Sequence, residues 1–163
     1  MGIIEANLLV FIAYNISILI GFFNDNVANT VKKIILILSY AVINCYYAVI
    51  ALIIELLNDN IKSKVVKIFL VIITVLLSII TYKNTISILP FLAVLLLIFN
   101  TKNKLFSSLL LLLSNIVWMI YDYNNMLYLK FIIMIYMVGY SMISILTYRK
   151  GRYDRIKKFK STK

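Results

Sequence analysis

The chain has 163 residues, of which 63% are hydrophobic, and its mean hydropathy is +0.99. Soluble domains contain roughly 45–50% apolar residues, and a domain of this length has too small an interior to bury such an excess. The composition therefore excludes an ordinary water-soluble domain and predicts a single membrane domain with lipid as its solvent.

The net charge of +11 comes from 17 Lys and Arg against 6 Asp and Glu, and it is concentrated at the C-terminus. In a soluble protein this excess would suggest a nucleic-acid partner. Here the basic residues directly follow an apolar segment, which predicts a cytoplasmic tail over 149–163 that faces anionic lipid headgroups and binds no nucleic acid. The basic residues of the tail are Arg149, Lys150, Arg152, Arg155, Lys157, Lys158, Lys160 and Lys163.

Several classes of chemistry are excluded by the residues that the chain lacks. It has no histidine, which excludes Ser-His-Asp and Cys-His catalytic sets and histidine-ligated zinc. The single cysteine, Cys45, allows no intrachain disulfide, and four glycines form no phosphate-binding loop. We therefore predict no enzyme activity, no cofactor and no metal site.

Apolar segments separated by short polar breaks predict an all-α, polytopic membrane helical bundle. At 1.5 Å per residue, about 20 residues cross the hydrocarbon core. The segment 34–57 carries only one formal charge, Glu55, and fits one tilted crossing. A cleaved signal peptide is a poor alternative for the first segment, because Glu5 lies where positive residues would be. The predicted spans are 3–23, 34–57, 65–82, 85–99, 105–121 and 127–148, with domain limits 1–148 before the tail.

The distribution of Lys and Arg predicts the orientation. With the C-terminus cytoplasmic, six crossings place the tail and the loops near Lys64 and Lys104 inside, and leave only Lys32, Lys33, Lys83 and Lys130 outside. Seven crossings with an outside N-terminus would bring Lys32 and Lys33 inside, but 34–57 is too short to cross twice. Six spans in a bacterial cytoplasmic membrane are the prediction, and seven the alternative.

Polar and aromatic residues recur at helical spacing in four of the predicted spans. These residues either line a hydrated solute pathway or join helices and form interfacial belts. Asn44, Asn115 and Trp118 favour the first interpretation because they lie well inside their segments. Glu5, Glu55 and Asp122 lie near segment ends, which favours solvated caps. The four sets are Asn7, Tyr14 and Asn15; Tyr40, Asn44, Tyr47, Ala51 and Glu55; Ser108, Asn115, Trp118 and Asp122; and Tyr136, Tyr140, Ser144 and Thr147.

Two short segments echo each other: Asn44 and Asn115 are each followed three residues later by an aromatic residue, Tyr47 and Trp118. Repeated halves are a common build of small transporters. The run Ile88-Leu-Pro90-Phe91, the segment 114–122 and the ending 145–149 resemble the second half of the YgjV-type bacterial inner-membrane proteins. Lys32-Lys33 after Phe22-Phe23 resembles the first cytoplasmic loop of that family.

The YgjV-type family is similar to the SWEET and PQ-loop group, in which two three-helix repeats are joined by a linking helix and many members move sugars, amino acids or other small solutes. This resemblance covers about 80–163 and implies seven spans, one more than the segments of this chain predict. The PQ dipeptide is absent, since Phe91 follows Pro90. The resemblance implies that Asn115 and Trp118 line a solute pocket, with Asn44 and Tyr47 as partners from the other half.

The leading functional hypothesis is a small-solute carrier of SWEET-like type. The alternatives are a non-catalytic accessory or immunity-type protein that packs against a partner, a homo-oligomer included, and the substrate-binding subunit of an uptake complex. The direction in which the four polar sets face distinguishes a carrier from a protein that packs against a partner. Convergence on one cavity favours a carrier, whereas scatter toward the lipid favours packing.

Overall fold

The computed structural model describes residues 2–99 and 103–161, and within these ranges the chain is helical without strands, which confirms the all-α part of the predicted fold class. The described residues form seven helices and no strand. Helices α1, α6 and α7 contain the stretches Gly2–Gly21, Lys104–Asn124 and Tyr128–Tyr148, which are long and apolar enough to cross a membrane. The helices are α1 (Gly2–Gly21), α2 (Asp25–Val42), α3 (Tyr46–Asn60), α4 (Lys64–Ile80), α5 (Thr85–Ile98), α6 (Lys104–Asn124) and α7 (Tyr128–Ser161).

The prediction of one helix over 34–57 is wrong, because the chain turns between α2 and α3. Asn44 has a φ of 57°, in the left-handed region that Asn tolerates better than most residues. The amide of Cys45 donates to the carbonyl oxygen of Tyr40 at 2.9 Å, and the Asn44 amide donates to that of Ala41 at 3.0 Å. These two bonds satisfy the last carbonyls of α2, as at many helix C-termini. Hydropathy alone does not detect a turn made of residues this apolar.

Helix α2 also begins earlier than the apolar segment does. The side chain of Asn24 accepts hydrogen bonds from the amides of Asn26 and Val27, at 3.0 and 3.2 Å, which caps the helix. The predicted polar linker 24–33 is therefore helical from Asp25 onward. Lys33 lies in the helix and is buried, whereas the sequence placed it in a loop.

Six of the helices form a closed ring. In order around the ring, α1 packs on α2, α2 on α3, α3 on α5, α5 on α6, α6 on α7, and α7 returns to α1. Within the described residues, α4 contacts only α3 and α5, so it lies outside the ring. The ring can therefore enclose side chains contributed by all six of its helices.

The turn between α6 and α7 repeats the turn between α2 and α3. The amide of Leu127 donates to the carbonyl oxygen of Asp122 at 3.0 Å, as that of Cys45 does to Tyr40, and Met126 has a φ of 60°. Tyr40 and Asp122 are 82 residues apart. The same shift maps α1, α2 and α3 onto α5, α6 and α7 along the chain. The molecule thus consists of a first half, α1–α3, and an equivalent second half, α5–α7, with α4 between them.

Polarity is inverted relative to a water-soluble protein. Buried residues include Lys33, Lys130 and Asp122, while large apolar side chains cover the outside of α1, α4 and α7. An apolar surface of this extent marks contact with lipid or with a partner. The number of crossings stays a prediction.

Candidate functional site

Three residues from three helices form a buried polar group that we call the inner cluster: Tyr40, Asp122 and Lys130. The Lys130 Nζ lies 3.2 Å from the Asp122 Oδ2, and their side chains are 3% and 0% exposed. The Tyr40 hydroxyl lies between them, accepting from the Lys130 Nζ and donating to the Asp122 Oδ1. A buried charge is tolerated when it is paired and hydrogen-bonded. The inner cluster therefore joins α2, α6 and α7 at the centre of the ring.

Aromatic rings complete the surroundings of the Lys130 ammonium. Its Nζ lies 4.2 Å from the ring centroid of Trp118 and 4.7 Å from that of Tyr40. The centroids of these two rings are 5.9 Å apart, and Tyr121 lies about equally close to both. The negative faces of aromatic rings attract a cation, by about 2 kcal/mol or more where water is excluded. This arrangement helps to hold a charged lysine where water cannot reach it.

A second polar group, the outer cluster, joins α2 to α3 and consists of Lys33, Glu55 and Asp59. The Lys33 Nζ lies 2.7 Å from the Glu55 Oε1 and 2.5 Å from the Asp59 Oδ2. The side-chain amide of Asn29 donates to the Asp59 Oδ2 at 3.0 Å. Exposure rises from 6% at Lys33 to 14% at Glu55 and 38% at Asp59. The outer cluster thus reaches the surface, whereas the inner cluster does not.

Both clusters contribute to the wall of a cavity of about 300 Å³. This central cavity lies inside the ring, and its volume is at the lower end of the range of roughly 300–1,000 Å³ found for small-molecule sites. Twelve of its lining residues form six pairs related by the 82-residue shift: Asn29 and Leu111, Lys32 and Ser114, Lys33 and Asn115, Leu36 and Trp118, Leu52 and Met134, and Glu55 and Met137.

The two halves contribute different chemistry to equivalent positions. The first half contributes Lys32, Lys33 and Glu55, and the second half has a neutral residue at each corresponding position. At these six pairs of positions the charged residues all lie in the first half, while elsewhere on the wall the second half contributes Lys130, which is already paired with Asp122. The echo between the segments of Asn44 and Asn115 is out of register with this repeat, because the structure pairs Asn115 with Lys33.

Two of the four predicted solute-binding residues lie on the cavity wall. Asn115 and Trp118 are buried there, and the side-chain amide of Asn115 makes a long hydrogen bond of 3.5 Å to the Ser141 hydroxyl. Asn44 lies in the exposed turn, where its side chain accepts from the Tyr46 hydroxyl at 2.9 Å. Tyr47 is half-buried and packs against the core, away from the cavity lining. The expectation that Asn44 lies inside a helix is wrong, because α2 ends at Val42.

The sequence missed the charged residues at the centre. Asp122 and Glu55 were expected as solvated caps, Lys33 as a linker residue, and Lys130 as a residue on the outer side near the start of the last span. Asp122 is fully buried, and both lysines pair with carboxylates. A hydropathy analysis assigns charged residues at the ends of an apolar segment to loops. In this structure the helices extend beyond the apolar segments, so these charged residues lie in helices. One signal was available: Asn29, Lys33, Leu36 and Tyr40 are spaced by four, three and four residues, which defines one helical face.

Some residues of the remaining polar sets line the cavity, whereas others join helices or face outward. In α1, Tyr14 lines the cavity, and Asn7 joins α1 to the start of α7 through bonds of 3.2 Å to the Met126 oxygen and 3.1 Å from the Leu129 amide. Asn15 is exposed and bonds within its own helix. In α7 all four residues point outward: Tyr136, Tyr140, Ser144 and Thr147. The polar faces of α2 and α6 converge on the cavity, whereas that of α7 does not.

No cluster of three or more metal-ligating side chains occurs in the part of the chain that the structure describes. Searches of family models, curated proteins and solved structures find no match to this chain.

Proposed function

We propose that the protein is a multi-pass membrane protein that binds a small polar solute in its central cavity and carries it across the bilayer. The observation that supports this most is a cavity lined by buried charges inside a ring whose outside is apolar. Ionisable residues inside a membrane protein are costly and usually mark solute or ion pathways. Two equivalent halves around a central site are a frequent carrier architecture.

The helices favour the seven-crossing alternative for this carrier. Successive helices are joined by short turns and pack on each other, as antiparallel neighbours do. With the C-terminal tail cytoplasmic, seven crossings place the N-terminus outside and the outer cluster toward the cytoplasm. This orientation agrees with the positive-inside rule, because Lys62, Lys64 and Lys104 lie at the same end.

Labelling of single cysteines tests this topology. With Cys45 replaced by Ser, a cysteine at Asn44 is expected to react with an impermeant maleimide on intact cells, and one at Asn24 is expected to react only after permeabilisation. Cysteine at Asn84 serves as the outside control and cysteine at Lys62 as the inside control. External labelling at Asn24 with none at Asn44 would instead support six crossings.

The only tryptophan of the chain, Trp118, lies on the cavity wall and gives a direct test of solute binding. We expect its emission to change saturably when purified protein in lipid nanodiscs is titrated with sugars, amino acids and carboxylates in turn. A solute that binds should also be taken up by proteoliposomes, and Asn115→Ala and Trp118→Ala should lower that uptake. Asn15→Ala, at an exposed residue of α1 that bonds only within its own helix, is the matched control. Unchanged uptake in both cavity variants, or no response to any solute, would refute the carrier function.

One observation favours packing against a partner as a second candidate function. Tyr136, Tyr140, Ser144 and Thr147 form an exposed polar-aromatic face on α7. Hydroxyl groups in this setting often join transmembrane helices. A second copy is the simplest partner, and cross-linking of cysteine placed at Ser144 in native membranes tests for it.

A further inference from the structure

The charged residues that the first half contributes to the central cavity have no net charge in total, but their positive and negative groups are not evenly paired. In the outer cluster, the two carboxylates of Glu55 and Asp59 share the single ammonium of Lys33. Lys32 also lines the cavity and makes no ion pair with a carboxylate of the described residues. Its Nζ lies 5.7 Å from the ring centroid of Tyr14. One place therefore has a carboxylate in excess and another has an ammonium in excess.

An orphaned amide adds a second observation. Asn58 lines the cavity and is about nine-tenths buried, and its Oδ1 has no hydrogen-bond partner in the described part of the chain. Buried polar atoms are nearly always paired, so an orphan next to a cavity indicates a missing ligand group. A carbonyl oxygen requires a donor, and Asn58 immediately precedes Asp59. The missing donor therefore belongs on the same side as the excess carboxylate.

The total charge of the two clusters and Lys32 limits the net charge that a bound solute can carry. Lys32 and Lys33 balance Glu55 and Asp59, and in the inner cluster Lys130 balances Asp122. A solute with a net charge would leave one unbalanced charge inside an apolar shell, which is costly. A solute that carries one negative and one positive group adds no net charge and supplies both missing partners.

Three apolar side chains that the second half contributes to the cavity wall limit the remainder of the solute. Leu111, Met134 and Met137 occupy the positions equivalent to Asn29, Leu52 and Glu55. Methionine side chains are flexible and adapt to apolar groups of different shape. This wall therefore fits an apolar side chain better than it fits a sugar, whose hydroxyl groups each need a hydrogen-bond partner.

We infer that the central cavity binds a zwitterionic amino acid with an apolar side chain, whose carboxylate pairs with Lys32 and whose ammonium group pairs with the Glu55 and Asp59 carboxylates and with Asn58. This inference rests on the proposed function and gives it a substrate class. The apolar side chain of the solute lies against the second half of the ring.

Four probes of matched size separate the contributions to binding. Trp118 emission is titrated with L-leucine, with 4-methylpentanoate, which lacks the ammonium group, with 3-methylbutylamine, which lacks the carboxylate, and with glucose. Hydrogen bonds to charged groups contribute about 1.5–3 kcal/mol, so each single-charge analogue should bind about tenfold or more weakly than leucine. Equal or tighter binding of either analogue, or of glucose, would overturn the inference.

Replacement of Lys32 tests whether this residue binds the carboxylate of the solute. Lys32→Gln should weaken leucine binding about tenfold or more, whereas 3-methylbutylamine should bind at least as tightly as before, because the amine makes no contact with Lys32 and its positive charge then balances the cavity. Retained amine binding also shows that the variant is folded. Lys32→Arg should restore most of the leucine affinity. Lys62→Gln, at an exposed lysine outside the ring, is the matched control. Unchanged leucine binding in Lys32→Gln would contradict the assignment.

The outcomes also separate this inference from the proposed function. Saturable binding of glucose alone, lost in Asn115→Leu, would overturn the amino-acid inference and support the carrier. No response to any probe of the wider solute panel would overturn both.

Discussion

The inner and outer clusters contain the same kinds of charged group but differ in their access to water. Each places a lysine beside a carboxylate of another helix, at 3.2 Å in the inner cluster and at 2.5 and 2.7 Å in the outer one. The inner carboxylate is completely buried, whereas Asp59 of the outer cluster is 38% exposed. The inner cluster also has a tyrosine hydroxyl and two aromatic faces around its ammonium.

This difference in access determines what each cluster contributes. Charges without access to water must keep their partners, because an unpaired charge there costs several kcal/mol. Charges near the surface can exchange a partner for water at little cost. The inner cluster is thus suited to hold three helices together, whereas the outer cluster is suited to exchange its contacts for those of the solute that we propose.

The largest effect is expected when the inner pair is broken. Lys130→Met leaves Asp122 buried without its cation, and we expect a loss of about 3–5 kcal/mol in the free energy of unfolding. Unfolding by SDS in mixed micelles, followed by circular dichroism, measures this loss. The double variant Lys130→Met with Asp122→Leu should recover most of the stability, because neither charge then remains. A double variant as unstable as the single one would show that packing, and not charge, dominates the inner cluster.

A smaller loss is expected when only the hydroxyl between the inner charges is removed. Tyr40→Phe keeps the aromatic ring beside Lys130 and the direct ion pair of Lys130 with Asp122 but removes the two hydrogen bonds of the hydroxyl. Because the two charges then close on each other, we expect a net loss of about one hydrogen bond to a charged group, about 1.5–3 kcal/mol. The same unfolding assay measures this loss. Tyr47→Phe, in the half-buried part of α3, is the control and should change stability by no more than about 0.5 kcal/mol. Equal losses in the two variants would be inconsistent with the role given to the Tyr40 hydroxyl.

The outer cluster should tolerate the corresponding change. Lys33→Met should cost less than Lys130→Met, about 1–3 kcal/mol, because Glu55 loses its cation but Asp59 is hydrated and Asn29 remains bonded to it. The contribution of Lys33 should also fall in 1 M salt, where the Debye length is about 3 Å. The comparison of Lys33→Met and Lys130→Met at low and high salt measures this contrast. A loss for Lys33→Met that equals that for Lys130→Met would remove the distinction between the two clusters.

The smallest effects are expected at the two equivalent turns next to the inner cluster. Met126 has a positive φ and an exposed side chain, so Met126→Gly should stabilise the protein by about 0.5–1 kcal/mol. Asn44→Ala should destabilise it by about 1 kcal/mol, because alanine tolerates that conformation less well than asparagine. Thermal unfolding in detergent measures both. The two substitutions should change the stability in opposite directions. A stabilising effect of Asn44→Ala would show that the positive φ does not determine the stability of these turns.

The all-α class and the inward face of α6 could be predicted from the sequence. The partners of the buried charges could not. Composition alone predicts a helical bundle with an apolar surface, and the spacing of Asn115, Trp118 and Asp122 predicts one helical face. The pairing of Asp122 with Lys130 and Tyr40 depends on which helices are neighbours in the ring, and no local pattern specifies that. The 82-residue repeat is equally hidden, because equivalent positions such as Leu36 and Trp118 hold different residue types.

The position of α4 outside the ring determines how the two halves are oriented. Because α4 is joined to α3 and α5 by short connections and packs on both, we expect it to run antiparallel to them, so that α3 and α5, and with them the two halves, run in the same direction. Their relation is a rotation about an axis parallel to the helices, which keeps equivalent residues at the same depth. Tyr40 and Asp122 are equivalent and in contact, so they lie on that axis. Lys33 and Asn115, which both line the cavity, are equivalent in this arrangement, so the solute that we propose would meet an ammonium group from one half and an amide from the other.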